Sequence, residues 1–356
     1  MSPASAQAHA ARLPSELDDA LERCRDSRGG ALFYVRSSVC EQSAGFAADQ
    51  REIFDDLFLL FGGTMASNVP PAGGADLSAV ITTRTGTPYG LLTVSSAGGL
   101  PDDGREFEFA LGETGTFERH QAGPWIVISF RGDTRPLFMM RGSDCLFSLD
   151  GEWQKAVCIF LFCRYLRMHE RYLFFHSSSA GINGHGLMFI GDKGAGKSTT
   201  SLALASRGHH FLGDELAAYV PETGMLMPFR RPVGIKPGPR VEAVERGLRG
   251  AERVVAGPGF VRVDIENLMA VRAPVPQPLH AVIFLRPFEA EPRLVPITAG
   301  REEMARLQPI ASGFLSASYR QRVFELVRML AGARVFEFHP GRPDDTAAFL
   351  EEAFPP

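Results

Sequence analysis

Apolar positions in the first 150 residues come in short runs divided by turn residues. Residues 77–83, 91–96, 107–111, 125–130 and 137–140 are each long enough for one strand, and Gly, Pro, Asp and Ser stretches separate them. That spacing predicts a mostly antiparallel sheet. Residues 31–39 (ALFYVRSSV) are strand-like as well. Two stretches follow a helical period instead. Residues 14–27 (PSELDDALERCRDS) place Leu17, Ala20, Leu21 and Cys24 on one face, with Ser15 as N-cap and Gly29-Gly30 as the stop. A second helix is predicted over 47–61, ended by Gly62-Gly63, and residues 68–75 (NVPPAGGA) read as a loop.

Further on the pattern changes. Residues 152–170 form a helical bridge whose centre, 156–162 (AVCIFLF), is the most hydrophobic segment of the chain and far too short to span a membrane. Beyond it strands and helices interleave. Residues 186–190 (GLMFI), 281–285 (AVIFL) and 335–338 read as buried strands, and 198–206, 301–307, 319–331 and 344–352 as helices. The fold class expected is α/β (α+β), with a mostly antiparallel β N-terminal domain over 1–150, a bridging helix over 151–170 and an α/β domain over 171–356.

Composition narrows the function classes. The 356 residues are 45% hydrophobic and 22% charged, as in a globular protein with room for two cores. A formal net charge of −4 speaks against a general nucleic-acid binder. The N-terminal stretch lacks a basic region followed by an apolar core, so no secretory signal or membrane partner is expected. Five cysteines, an odd number without a C-x-x-C pair or histidines at zinc spacing, fit reduced thiols in a cytoplasmic protein.

The chemistry concentrates around one loop. Gly191, Asp192, Lys193, Gly194, Ala195, Gly196, Lys197 and Ser198 match G-x-x-x-x-G-K-[ST], with a strand before and a helix after. Glycines let backbone N–H groups turn inward on phosphate oxygens, and the helix beginning near Lys197 adds its positive dipole end. Lys197 is a point charge for the β- and γ-phosphates, and the Ser198 hydroxyl is suited to Mg²⁺. Seventeen residues past Lys197, an apolar step ends in Asp214-Glu215. An acid pair there can hold the metal and take a proton from an acceptor hydroxyl.

Read together, His176, the Gly191–Ser198 loop, Arg207-Gly208-His209 and Asp214-Glu215 resemble the catalytic core of the HPr kinase/phosphorylase family and its wider group of HPr-kinase-like proteins. The spacings of 21 residues from His176 to Lys197 and 17 from Lys197 to Asp214 match that family without a gap. The likeness continues more weakly through 228–236 (PFRRPVGIK) and 280–287 (HAVIFLRP).

The resemblance implies a C-terminal P-loop kinase domain related in fold to phosphoenolpyruvate carboxykinase. ATP phosphates would lie on Gly191 to Thr199, Mg²⁺ near Ser198 and Asp214, and His176 beside the phosphates. Asp214, Glu215, His176 and Lys197 would be the catalytic set, with either acid as the base. The chain departs from the bifunctional members at Glu215, where they carry Asp, and in lacking their downstream motif around a metal-binding Glu. Glu242, Glu245, Asp264 and Glu266 are acids in that region without the motif.

Members that phosphorylate a serine of a ribosomal precursor peptide, as in lasso-peptide tailoring, are therefore the closer comparison. Transfer to a serine of a peptide or protein is the expected activity, with a small-molecule kinase or a non-transferring nucleotide switch as rivals, and a homo-oligomer is compatible. The 1–150 domain would recognise the acceptor. Arg230, Arg231, Lys236 and Arg240 form a basic stretch whose default reading is a solvated loop; the sharper reading has one of these cations clamp the transferring phosphoryl group.

Overall fold

The computed structural model describes residues 3–27, 32–39, 42–61, 64–67, 75–96, 117–131, 136–150, 153–169, 171–235, 254–257, 260–312 and 319–356. The chain divides into two compact units, residues 1–165 and 166–356. The expected strand at 107–111, the loop at 68–74 and the stops at Gly29-Gly30 and Gly62-Gly63 lie outside the described residues, as do Lys236, Arg240, Glu242 and Glu245.

The first unit contains α1 (Pro3–Asp26), β1 (Phe33–Val39), β2 (Gln42–Ala48), α2 (Arg51–Phe61), β3 (Thr64–Ser67), β4 (Leu77–Thr82), β5 (Tyr89–Ser96), β6 (Phe117–Ala122), β7 (Trp125–Phe130), β8 (Pro136–Arg141), β9 (Asp144–Ser148) and most of α3 (Trp153–Arg167). Among the described residues nine strands form one sheet in the order β3-β1-β2-β4-β5-β9-β8-β7-β6. Every neighbouring pair is antiparallel except β2 with β4.

The apolar face of α1 does what its spacing predicts: Leu13, Leu17, Ala20, Leu21 and Cys24 are buried with Leu91, Trp125, Val127, Met139 and Leu146. Polar ties fix the contact, because Asp18 accepts from Trp125 Nε1 (2.8 Å) and pairs with Arg141, and Arg25 pairs with Asp144 (2.7 Å). Ser15 does not cap this helix. It lies inside α1, and its Oγ donates to Arg12 O.

The helix expected over 47–61 begins only at Arg51, because Ala47 and Ala48 belong to β2, paired with Val80 and Ile81. Buried Asp49 forces the change of direction. Its carboxylate accepts from Thr83 N, Thr83 Oγ1 and Arg84 N at 2.7–2.9 Å. Helix α3 buries Val157, Cys158, Phe160 and Leu161 completely, and Phe162 and Tyr165 close edge-on around Phe61.

The second unit contains β10 (Leu173–Phe175), β11 (Ser178–Ile182), β12 (His185–Ile190), α4 (Lys197–Ser206), β13 (His210–Gly213), β14 (Ala217–Val220), β15 (Met225–Met227), β16 (Val233–Ile235), β17 (Val254–Gly257), β18 (Phe260–Val263), α5 (Ile265–Leu268), β19 (Gln277–Leu285), β20 (Arg293–Pro296), α6 (Arg301–Ser312), α7 (Tyr319–Gly332), β21 (Arg334–His339) and α8 (Pro343–Ala353). Strands β12, β19 and β21 run parallel at its centre, with β13-β11 added antiparallel beyond β12 and β20 beyond β21. The first residues of β19 also pair with β15, which leads to β14 and β10, and β16-β18-β17 form a separate small sheet.

Both faces of the central strands are covered. Ala281, Ile283 and Leu285 of β19 pack with Ala203 and Leu204 of α4 and with Ala347 and Leu350 of α8. Val282 and Phe284 pack on the other side with Leu307 and Ala311 of α6 and Leu326, Met329 and Leu330 of α7. Burial on two faces is why this strand reads as a continuous apolar run rather than an alternating one. The protein is thus a mixed α/β structure with several sheets. No helix among the described residues is long and apolar enough to cross a membrane.

Candidate active site

Strand β12 delivers the glycine loop to the edge where the three parallel strands end. It is set in register by the β11–β12 hairpin, whose Asn183 and Gly184 both have positive φ (52° and 86°), as a two-residue turn of this hand requires. At Gly191 a Cβ would lie 2.9 Å from Ala195 Cβ and 3.1 Å from Leu285 Cβ, so the loop closes against its own start and against β19 only because no side chain is there. Gly194 and Gly196 are left-handed, with φ of 93° and 100°. Gly196 stands at the N-cap of α4 and has no side chain with which to occupy the first-turn amides.

Lys197, 9% exposed, folds back over this loop: its Nζ donates to Gly191 O (2.6 Å) and Asp192 O (3.3 Å). Its own carbonyl is held by Ser178 Oγ of β11 at 3.0 Å. Ser198 points to the next element instead, and its Oγ donates to Asp214 Oδ1 at 2.9 Å.

Asp214 leaves the end of β13. The strand ends tightly there, since a Cβ on Gly213 would sit 2.7 Å from the carbonyl oxygens of both Leu216 and Phe229. Asp214 is buried, and the loss of water raises its pKa against the lowering effect of the Ser198 bond. The neighbouring acid is pushed the other way. Burial raises the Glu215 pKa too, but the Arg262 and Arg231 guanidinium groups outweigh it and hold that carboxyl below its usual range. Arg262 Nη2 lies 2.9 Å from Glu215 Oε1. Glu215 adopts φ 61°, a left-handed conformation uncommon outside glycine, which turns consecutive side chains toward different partners.

His176 follows β10, with its backbone N–H bonded to Ile310 O of α6 (3.1 Å). Its side chain is exposed by area but hemmed in enough that desolvation, then the Lys197 charge, lowers its pKa, with Glu215 opposing. These surroundings favour the neutral imidazole. His176, Lys197, Asp214 and Glu215 thus share one electrostatic neighbourhood, tied to the glycine loop through Lys197 and Ser198.

Other residues separate from this group. Arg207 and His209 reach Glu351 of α8 at 2.6–2.9 Å. Arg230 is committed to Phe211 O, Glu266 and Arg272 O. Asp264 is the N-cap position of α5. Arg231 is drawn toward the acids, and burial brings its pKa down to about 10 while Glu215 works to raise it. Arg262 had no sequence signal: it lies in a short strand at the end of a Gly/Pro-rich stretch, 47 residues beyond the acid it pairs with.

Among the described residues no group of three or more His, Cys, Asp or Glu side chains is arranged to hold a metal ion. Magnesium does not require one, since it is commonly held by one or two carboxylates, waters and substrate phosphates. The hydroxyl and carboxylate oxygens of Ser198 and Asp214 are the hard donors it prefers, and they already meet at 2.9 Å.

No family model and no curated protein matches the sequence. Among solved structures, the HPr(Ser) kinase/phosphatase from Coxiella burnetii matches with 16% identity over 50% of this chain and 91% of that chain, at a TM-score of 0.25. A superposition that loose decides neither fold nor chemistry, which rest on the geometry above.

Proposed function

We propose that the second unit is an HPr-kinase-like, ATP-dependent phosphotransferase acting on a hydroxyl, most readily a serine of a peptide or protein. The observation that carries this reading is the Ser198–Asp214 hydrogen bond, which joins the phosphate loop to the acid pair. A phosphate cradle alone serves binding or switching. A loop hydroxyl coupled to one carboxylate serves magnesium in switches and transfer enzymes alike, and it is the second carboxylate beside it, Glu215, that favours transfer.

In this reading the amides of Gly191 to Thr199 hold the β- and γ-phosphates and Lys197 leaves its carbonyl partners for them. Ser198 and Asp214 would hold Mg²⁺, which when bound neutralises charge on the phosphate oxygens. The acid pair takes the proton of the acceptor hydroxyl as its oxygen bonds to the γ-phosphorus and the bond to the ADP oxygen breaks. Arg262 keeps Glu215 ionised and oriented, and neutral His176 donates to a phosphate oxygen. The first unit serves acceptor recognition.

The test is transfer of label from γ-labelled ATP to candidate peptide, protein and small-molecule acceptors. Transfer that persists at the wild-type rate in both Lys197→Ala and Asp214→Asn would sink this mechanism. Labelling of metabolites but not of polypeptides would reassign the acceptor class.

A further inference from the structure

The connection after β19 carries an aromatic side chain that the roles above leave unused. Phe288 is 53% exposed, so much of its ring is open to solvent. The segment that presents it is firmly held. Arg286 N donates to Phe338 O (2.8 Å), Glu289 N donates to Pro340 O (3.0 Å), and His339 Nδ1 lies 3.2 Å from Pro287 O and 2.8 Å from Glu289 Oε1. Both ends of the 286–289 segment are therefore tied to the end of β21.

Its position relative to the phosphate loop is specific. Strands β12 and β19 run parallel, so Phe288 and Gly191 leave the sheet at the same edge. A Cβ on Gly196 would lie 2.9 Å from Phe288 Cζ, 3.5 Å from Cε1 and 3.7 Å from Cε2. With its three distal atoms nearest the glycine, the ring meets the loop by its edge, which leaves a face for a ligand.

We propose that Phe288 is the stacking platform for the base of the nucleotide whose phosphates lie on Gly191 to Thr199; this rests on the nucleotide reading above. In a nucleoside triphosphate the base stands beyond the ribose, so its support belongs on the rim of the cradle, where Phe288 stands. A ring on a segment pinned at both ends is pre-organised and loses little freedom on binding. Stacking tolerates any base, so adenine and guanine nucleotides are both accepted on this platform.

Calorimetric titration of the full chain with ATP and with inorganic tripolyphosphate, both in magnesium buffer, separates base from phosphate. Wild type binds both ligands. Phe288→Ala weakens ATP by about tenfold and leaves tripolyphosphate unchanged, while Phe288→Trp keeps ATP affinity. Lys197→Ala weakens both ligands. If Phe288→Ala weakens both equally, the ring supports the loop rather than the base and the proposal fails. It fails also if neither ligand is affected. Wild-type protein that binds neither ligand overturns the nucleotide reading itself, a result no Phe288 variant can produce.

Discussion

Ser198, the second residue of α4, donates a 2.9 Å hydrogen bond to Asp214, the residue after β13. Two elements that pack on β11 and its neighbours are thereby joined at their functional ends. The consequence is that stability and function separate at this pair. Ser198→Ala leaves a buried carboxylate oxygen without its donor and lowers stability by about 1–3 kcal/mol in urea unfolding. Asp214→Asn removes a charge from a buried site, so the metal-free protein unfolds at a higher urea concentration while transfer is abolished.

The end of β13 gives a steric prediction. At Gly213 both contacts that a Cβ would make are with backbone oxygens, at 2.7 Å, and neither can swing aside. Gly213→Ala is expected to cost more than about 2 kcal/mol by thermal or urea unfolding and to displace Asp214. Gly142→Ala, where nothing lies within 4 Å, costs only the strain of its positive φ, about 1 kcal/mol.

Two arginines from the same region behave differently. Arg230 closes a structural junction, so Arg230→Met lowers the unfolding midpoint by an amount equivalent to about 1–3 kcal/mol and leaves ATP affinity in place. Arg262 faces Glu215, so Arg262→Met slows phosphoryl transfer by about a hundredfold with a smaller effect on stability. Equal rates for wild type and Arg262→Met under saturating ATP would remove Arg262 from the site.

Glu351 sets a pH dependence. Hydrogen bonding from Arg207, then from His209, brings its pKa down to about 2. A carboxyl depressed in the folded state contributes stability above its unfolded pKa and loses it as pH falls toward the folded value. The urea midpoint of Glu351→Gln should therefore lie below wild type at pH 6, with the gap closing between about pH 4.5 and pH 2. A gap that stays constant over that window would show that the pair contributes nothing through ionisation.

The strand, glycine loop and helix around Lys197 were legible because their requirements are local. Glycines at 191, 194 and 196, an apolar strand before them and helix formers after them need no distant partner to be recognised. Strand β2 (QSAGFAA) was not legible, since small and polar residues hide its period and only pairing with β1 and β4 makes it a strand. Strand β9 and the Arg262–Glu215 pair were hidden for the same reason.

Sequence by itself determined the α1 face, the loop and the order of strand, loop, helix and acid pair, because periodicity, backbone freedom and chain spacing act over a few residues. Only the tertiary structure decided that Ser198 meets Asp214, that Arg230 is structural while Arg262 holds Glu215, and that Phe288 stands at the rim of Gly196. Each of these depends on strands far apart in the chain lying side by side in a sheet, and no local pattern encodes which side chains that packing brings within 3 Å.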